Sequence, residues 1–170
     1  MPRKGSEDLQ RILLSALMMG ARRSDRDLAK ILKVSQPTVL RRRKLLEKAG
    51  MIQEYTVIPD FTKMGYDFVA VTFLTFAEDS SEFLDKGRKW ARNKSPIVYM
   101  TKGEGMGMSC FMISVHRNYA SYSKLITELK RDWQPTLTNV QTFMVSLARP
   151  ELLIKPLSFR YLDGDDLKCK

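Results

Sequence analysis

The sequence predicts an α+β protein, with three helices in its N-terminal part and a two-helix, four-strand sheet in its C-terminal part. Apolar residues recur at helical spacing through the first 50 residues, whereas β-branched and aromatic runs dominate from Phe68 onward. Charge separates the same two parts. The first 50 residues hold 13 Lys/Arg against 5 Asp/Glu, and the other 120 hold 16 against 14. A basic module therefore precedes a nearly neutral one.

The first helix is predicted from one apolar stripe that recurs every three to four residues, as in an amphipathic helix. Ser6 is expected to cap its start and Gly20 to end it. The stripe consists of Leu9, Ile12, Leu13, Ala16 and Leu17.

Two further helices follow, each with its own start signal. Ser24 precedes an apolar helix and has Asp27 three residues later, a pattern close to a capping box. Ser35 precedes the next helix, which has Pro37 in its first turn, where a missing N–H costs nothing. Because only the short segment from Leu32 to Ser35 separates them, the two helices must cross steeply. This is the helix-turn-helix arrangement, whose second helix enters the DNA major groove.

The second of these helices also carries side chains suited to reading DNA. Gln pairs with adenine and Arg with guanine, while a Thr methyl contacts thymine, so Gln36, Thr38 and Arg41 are the predicted base readers. Val39 and Leu46 are predicted to face the domain core. The cations predicted to contact phosphates are Arg22, Arg23, Arg26, Arg42 and Lys44, and Ser35 and Pro37 complete the predicted interface. A solvated cationic face on an unrelated domain is the alternative, and the paired caps and the charge distribution count against it.

The segment Met51 to Pro59 alternates in the manner of a strand and is predicted to be a wing or a hinge strand. Beyond it the order of elements is βαββαβ, the ferredoxin-like plan with both helices on one sheet face. The predicted elements are strands Phe68 to Ala77, Ile97 to Lys102, Met108 to His116 and Asn139 to Leu147, and helices Asp79 to Asn93 and Tyr122 to Trp133. We therefore predict a winged helix-turn-helix domain at 1–59, a ferredoxin-like domain at 60–148 and an extension at 149–170.

The other face of this sheet is predicted to be bare and apolar in a monomer, lined by Val69, Val71 and Phe73 or by their alternates. A bare face of this size usually signals self-association. We predict a homodimer or a larger assembly.

The sequence contains no apolar run near the length of a membrane span, and we expect no signal peptide because its charged start leads into an amphipathic helix. Cys110 and Cys169 do not form a disulfide framework. A membrane-surface helix is disfavoured because Val39 and Leu46 are needed by their own domain. We expect a cytoplasmic protein with reduced thiols.

Three sequence features could suggest a catalytic, nucleotide-binding or metal-binding site, but each is better explained by an ordinary structural role. The glycines at 103, 105 and 107 join two strands rather than a strand and a helix, which favours a hairpin over a nucleotide loop. His116 is expected on the surface, and Asp163, Asp165 and Asp166 in a solvated turn without further calcium ligands. We expect no cofactor, no metal and no enzymatic activity.

These residues together resemble the Lrp/AsnC family of transcriptional regulators. The matching motifs are A-R-x-S-x-x-x-L-A from Ala21, V-S-x-x-T-V-x-x-R from Val34 and L-E-x-x-G-x-I from Leu46, with Met64 and Gly65 opening the second domain. The resemblance extends from Glu7 to about Leu147. It implies a winged helix-turn-helix joined to a ligand-sensing domain that forms dimers, often octamers, and binds an amino acid between subunits.

The chain departs from the family pattern in three places. Arg43 stands where the family usually has Ile or Val, and its guanidinium is expected to reach Glu7, Asp8 or a phosphate. The effector turn keeps Gly103 and Glu104 but lacks the following Asp. The extension from Arg149 contains an apolar segment that is expected to add a strand or to cover a partner.

The function predicted from the sequence is sequence-specific binding of double-stranded DNA, with a possible small-molecule effector at Gly103, Glu104, Gly105 and Gly107. One alternative is an architectural DNA-binding protein of low specificity, which the same fold and charge support. Another is a small-molecule-binding or catalytic domain with a vestigial DNA module.

Overall fold

The computed structural model describes residues 4–78 and 80–162, with side chains from residue 8 onward. These residues form two compact units. The first combines the chain up to Ile58 with the segment that starts at Lys155, and the second is Pro59–Ile154. The predicted C-terminal extension is thus divided between the two units. No helix in the described ranges is long and apolar enough to cross a membrane.

The first unit contains the three predicted helices: α1 (Lys4–Met19), α2 (Asp25–Leu32) and α3 (Gln36–Lys48). They enclose a core that confirms the predicted stripes. Its buried side chains include Leu13, Leu17, Leu28, Val39 and Leu46. The predicted cap at Ser6 is wrong, because the chain is already helical at Lys4 and Ser6 lies within the helix.

The segment that follows α3 forms no strand within the described residues, so the predicted wing or hinge strand is wrong. Val57 is 81% exposed, and Tyr55 is held by a hydrogen bond from its hydroxyl to Glu47 Oε1 at 2.8 Å. Alternating apolar residues make a strand only when a neighbouring strand satisfies the backbone, and this unit supplies none among its described residues.

The extension likewise adds no strand among its described residues. It contains two short 3-10 turns, Pro150–Leu152 and Phe159–Tyr161, and the second packs against α1. Pro150 and Pro156 remove backbone donors that a strand would need. Cys169 and the three aspartates from Asp163 lie outside the described residues.

The second unit has the predicted βαββαβ order, and its strands lie as β2-β3-β1-β4 with every neighbouring pair antiparallel. This confirms the ferredoxin-like fold. The helices begin at serine and asparagine caps, Ser80 and Asn118. The elements are β1 (Phe68–Phe76), α4 (Ser81–Arg92), β2 (Ile97–Gly105), β3 (Met108–His116), α5 (Tyr119–Trp133) and β4 (Leu137–Ser146).

The two faces of this sheet are covered unequally. On one face Leu74 and Met112 pack in a buried cluster with Leu125, Leu129 and Trp133. On the other face Val71 pairs across strands with Ile113 and with Phe143, and Phe73 pairs with Phe111. The side chains of Val69, Val71 and Phe73 are only half-buried, and Phe143 is 67% exposed. The predicted bare apolar face is therefore present in the single chain.

His116 is buried, with 1% of its surface exposed, so the predicted surface position is wrong. It follows Cys110, Met112 and Ser114 on the helix-covered face of β3, because alternate residues of a strand share a face. Its Nε2 hydrogen-bonds with Ser114 Oγ at 2.8 Å and its Nδ1 with Ser121 Oγ at 3.2 Å. Burial lowers the pKa of His116 below its ordinary value of 6.5.

This burial predicts a pH-dependent stability. Well above pH 6.5 His116 is neutral in both the folded and the unfolded chain, and its contribution to folding is fully present. As the pH falls below 6.5, His116 is protonated in the unfolded chain but stays neutral in the folded chain, because its pKa is lower there. The free energy of unfolding therefore decreases. Urea denaturation between pH 7 and pH 5 should show this decrease. His116 is the chain's one histidine. His116→Gln should therefore be less stable at pH 7, but its free energy of unfolding should depend less on pH between pH 7 and pH 5. An equally steep profile in the variant would contradict the assignment.

Candidate nucleic-acid interface

Both helices of the helix-turn-helix begin at the predicted serine caps. Ser24 Oγ accepts the backbone N–H of Asp27 at 3.2 Å and donates its own proton to Asp27 Oδ2 at 2.6 Å. That hydrogen bond lowers the pKa of the Asp27 carboxyl. Ser35 Oγ accepts the N–H of Thr38 at 3.4 Å. The predicted caps are confirmed, and they define where α2 and α3 start.

The turn between α2 and α3 reverses the chain without a glycine. Lys33 takes the left-handed conformation with φ 53° and caps the end of α2 through its backbone N–H. The next N–H, that of Val34, donates to the Ala29 carbonyl at 3.0 Å. A left-handed conformation costs a residue with a side chain about 1–2 kcal/mol. Hydrogen bonds at the end of α2 and the cap at Ser35 offset this cost.

The helix α3 has a core side and an exposed cationic side. Val39 and Leu46 are 1% and 0% exposed. Arg41, Lys44 and Lys48, at i, i+3 and i+7, are exposed on the opposite side. Lys48 was missed by the sequence analysis, although its spacing from Arg41 is the signal that finds it. The result is one exposed cationic stripe along α3.

The side chains of the predicted interface residues differ in their exposure to solvent. Seven of them are exposed in the described chain: Arg22, Arg26, Ser35, Gln36, Pro37, Arg41 and Lys44. Arg23, Thr38 and Arg42 are half-buried. Arg23 Nη1 donates to the Ala16 carbonyl in α1 at 3.4 Å, and the Thr38 and Ser35 hydroxyls hydrogen-bond to each other at 2.8 Å. These two side chains therefore already serve the fold, and their DNA contacts stay predictions.

Arg43 takes part in a small polar cluster beside the core. Its guanidinium pairs with the Asp25 carboxylate, and both side chains are largely shielded from solvent. The same guanidinium lies 5.9 Å from the ring centre of Tyr55, whose hydroxyl donates to Glu47. Asp25 is a partner that the sequence analysis did not name, and the expected contact of Arg43 with Asp8 is wrong. The Glu7 side chain lies outside those described, and a phosphate contact stays a prediction. The cluster joins the start of α2, the middle of α3 and the segment after it.

The predicted effector turn is an exposed hairpin between β2 and β3, so the hairpin interpretation is confirmed. Met106 and Gly107 adopt positive φ values of 52° and 70°, and Met106 is 80% exposed. A Cβ added at Gly103, Gly105 or Gly107 would meet nothing within 4 Å. Backbone conformation therefore accounts for Gly105, with φ 155°, and for Gly107, whereas no close approach among the described residues requires any of the three glycines. Glu104 is exposed on the same turn.

Metal chemistry finds no support in the part of the chain that the structure describes. Among the described residues, no group of three or more His, Cys, Asp or Glu side chains is placed to hold a metal ion. The pKa of the buried Cys110 thiol is raised to about 11, mainly by desolvation, so Cys110 is protonated at neutral pH. Neither observation suggests a nucleophile or a metal ligand among the described residues.

The helix-turn-helix unit matches a known family model. Residues 8–47 match the AsnC-type helix-turn-helix domain. An uncharacterised HTH-type transcriptional regulator of Pyrococcus furiosus is 42% identical over 65 residues, which are 38% of this chain and 44% of that protein. The match thus spans less than half the length of that relative.

Two further likenesses reach beyond this unit. The HTH-type transcriptional regulator LrpA of Pyrococcus abyssi is 31% identical over 104 residues, covering 61% of this chain and 72% of LrpA. A transcriptional regulator of Neisseria meningitidis, solved as a complex with L-Met, superposes with a TM-score of 0.70. It shares 15% identity and covers 85% of this chain and 90% of its own. At this identity the superposition establishes the fold.

Proposed function

The chain belongs to the Lrp/AsnC family of transcriptional regulators, and from this premise we propose that it binds double-stranded DNA in a sequence-specific manner and regulates transcription. One observation carries the proposal: α3 places Arg41, Lys44 and Lys48 in an exposed stripe opposite its buried side. A helix that follows a tight turn and is cationic on its outer side fits the major groove. Family membership and the exposed cations of α3 both favour a regulator over an enzyme. We expect this regulator to act in the cytoplasm.

Within this proposal the polar side chains of the interface divide into two roles. Arg41 and Gln36 lie exposed in the first turns of α3, the part of a recognition helix that meets base edges, and they read bases. Arg22, Arg26 and Lys44 neutralise phosphates and release counterions, which supplies affinity without sequence information. Arg23, Thr38 and Arg42 contribute less, because they are half-buried.

The two roles predict different behaviour on mutation. Arg41→Ala should lose about 1–3 kcal/mol of binding free energy at the preferred site and relax the preference at one base pair. Arg22→Ala, the matched control, should weaken binding to all sequences alike and reduce the salt slope by about one unit. Selection of sites from random duplexes, followed by titration at several salt concentrations, measures both effects.

The outcomes separate the proposal from its alternatives. An unchanged site preference in Arg41→Ala would remove its base-reading role. Strong binding without any preferred site would favour an architectural protein, and failure to bind DNA at low salt would favour a vestigial module.

We also propose that the chain forms a homodimer through the bare face of the sheet, with a larger assembly such as an octamer built from dimers. Val71, Phe73, Phe111 and Phe143 lie together on this face, and the ring centres of Phe73 and Phe111 are 6.2 Å apart. Each buried Å² of such a surface contributes about 25 cal/mol. A second copy offers the same flat apolar face, which is what a twofold interface requires.

Charge placed on this face should break the assembly. Phe111→Glu should shift the protein toward monomer at micromolar concentration in sedimentation velocity, because a carboxylate in an apolar interface must be desolvated. Tyr119→Glu is the matched control, since Tyr119 is 65% exposed in the first turn of α5 and an acid is favourable there. A wild-type monomer, or a Phe111→Glu protein that keeps the wild-type mass, would overturn the proposed interface.

The glycine hairpin is proposed to bind amino acids weakly or not at all. Its N–H groups can receive a carboxylate, but Glu104 is the turn's one acid, and Met106 makes the turn apolar. Calorimetric titration with the twenty amino acids should therefore show no low-micromolar binding. Tight binding of one amino acid, lost in Gly105→Val, would refute this expectation and identify the hairpin as the effector site.

A further inference from the structure

An ion pair links the helices α2 and α3 beside their shared core. Asp25 is the first residue of α2, and its carboxylate pairs with the guanidinium of Arg43 in α3. Arg43 follows the buried Val39 by four residues and precedes the buried Leu46 by three, so it lies on the core side of α3. Only 21% of the Asp25 side chain and 16% of the Arg43 side chain is exposed. The pair is therefore a shielded contact between two helices.

Tyr55, from the segment after α3, adds a further contact to this pair. The guanidinium carbon of Arg43 lies 5.9 Å from the centre of the Tyr55 ring, whose face attracts a cation. The Tyr55 hydroxyl donates to Glu47 Oε1 at 2.8 Å, and Glu47 stands four residues after Arg43 on α3. These contacts hold the Arg43 guanidinium between the start of α2 and the segment that leaves α3.

The shielded pair gives direction to the contact between the helices more than it gives stability. Removing two charges from water costs free energy that their attraction barely repays. Arg43 Nε is closed to solvent and has no hydrogen-bond partner among the described residues, which adds to this cost. Leu28 of α2 shares one buried cluster with Val39 and Leu46 of α3, and such apolar contacts are non-directional. A charge-assisted hydrogen bond requires one geometry, so the pair selects the orientation of α3 on α2.

This orientation matters because the two proposed kinds of DNA contact lie on different elements. Gln36 and Arg41, the proposed base readers, are on α3. Arg22 and Arg26, which are proposed to neutralise phosphates, lie just before α2 and in its first turn. A bidentate contact with a base edge needs both hydrogen bonds in place and tolerates little rotation, whereas attraction between charges has no such requirement. A changed angle between α2 and α3 therefore weakens base reading more than phosphate binding.

We propose that Arg43 is a positioning residue for DNA recognition: its pairing with Asp25 holds α3 at the angle at which the base readers meet base edges. The Arg43 guanidinium is held by Asp25 and Tyr55 and contacts neither a base nor a phosphate. This inference rests on the proposed sequence-specific binding of DNA and names an interaction on which that specificity depends. It follows that specificity and stability are separable in this unit.

A variant of the full chain that lacks both charges tests the inference. Both partners are replaced together, because removal of one would leave the other as an unpaired, shielded charge. Asp25→Asn/Arg43→Met leaves the net charge unchanged and keeps an apolar stem at position 43. Affinity for the duplex that the wild type prefers should fall about tenfold or more, the equivalent of one lost bidentate contact. Selection from random duplexes should show relaxed preference at several base pairs, unlike the single position expected for Arg41→Ala.

Three further measurements exclude a merely structural role. Affinity for random duplexes, the salt slope of that affinity and the midpoint of thermal denaturation should all stay near their wild-type values. Asp85→Asn/Arg88→Met is the matched control, because it also neutralises one ion pair without changing the net charge. That pair, at 2.6 Å, is exposed on α4 in the second unit. The control should keep the wild-type site preference.

Several outcomes would overturn the inference. Wild-type preference in Asp25→Asn/Arg43→Met would show that α3 keeps its orientation without the pair. An equal loss of affinity for all duplexes, or failure of this variant to fold, would assign the pair to stability instead. A salt slope reduced by about one unit would place Arg43 on a phosphate. A wild type without any preferred site would overturn the proposed function as well, so the two failures are distinguishable.

Discussion

Side chains of a β-strand alternate between two faces, and β1 is apolar on both. Its position between β3 and β4 gives it a neighbour along each edge, but α4 and α5 cover one face alone. Leu74 is fully buried beneath them, whereas Phe73, one residue earlier, is half-buried on the bare side. Contact between this apolar face and water is unfavourable, and covering the face would remove that cost. The same alternation that builds the core of this unit therefore leaves an apolar face uncovered in the single chain.

In the helix-turn-helix unit, one helix, α3, both packs in the core and presents cations to solvent. In α3 the two tasks are separated by helical spacing, with Val39 and Leu46 on one side and Arg41 and Lys44 on the other. Residues at the boundary serve the fold: Arg43 pairs with Asp25, and Thr38 hydrogen-bonds with Ser35. Cations of similar appearance in the sequence thus have different roles, which depend on their angle around the helix.

The cleft beneath α4 follows from loose packing of this helix, whereas α5 buries Tyr122, Leu125, Leu129 and Trp133. Both helices are amphipathic, but one is seated and the other leaves space. The two tryptophans differ in their N–H groups: Trp90 Nε1 donates to Asp132 Oδ2, whereas Trp133 Nε1 has no partner among the described residues.

Much of this protein was determined by local sequence signals. Serine caps, apolar periodicity and the βαββαβ order predicted both folds, because caps and amphipathic stripes act within a few residues of each other. Other features depended on tertiary contacts. The segment after α3 alternates like a strand but finds no strand partner among the described residues, and His116 is buried because α5 covers that face of β3. Asp25 and Arg43 lie 18 residues apart in sequence, and no local pattern pairs them. The space beneath α4 depends on how closely this helix packs against the sheet, and no spacing of residues along the chain encodes that distance.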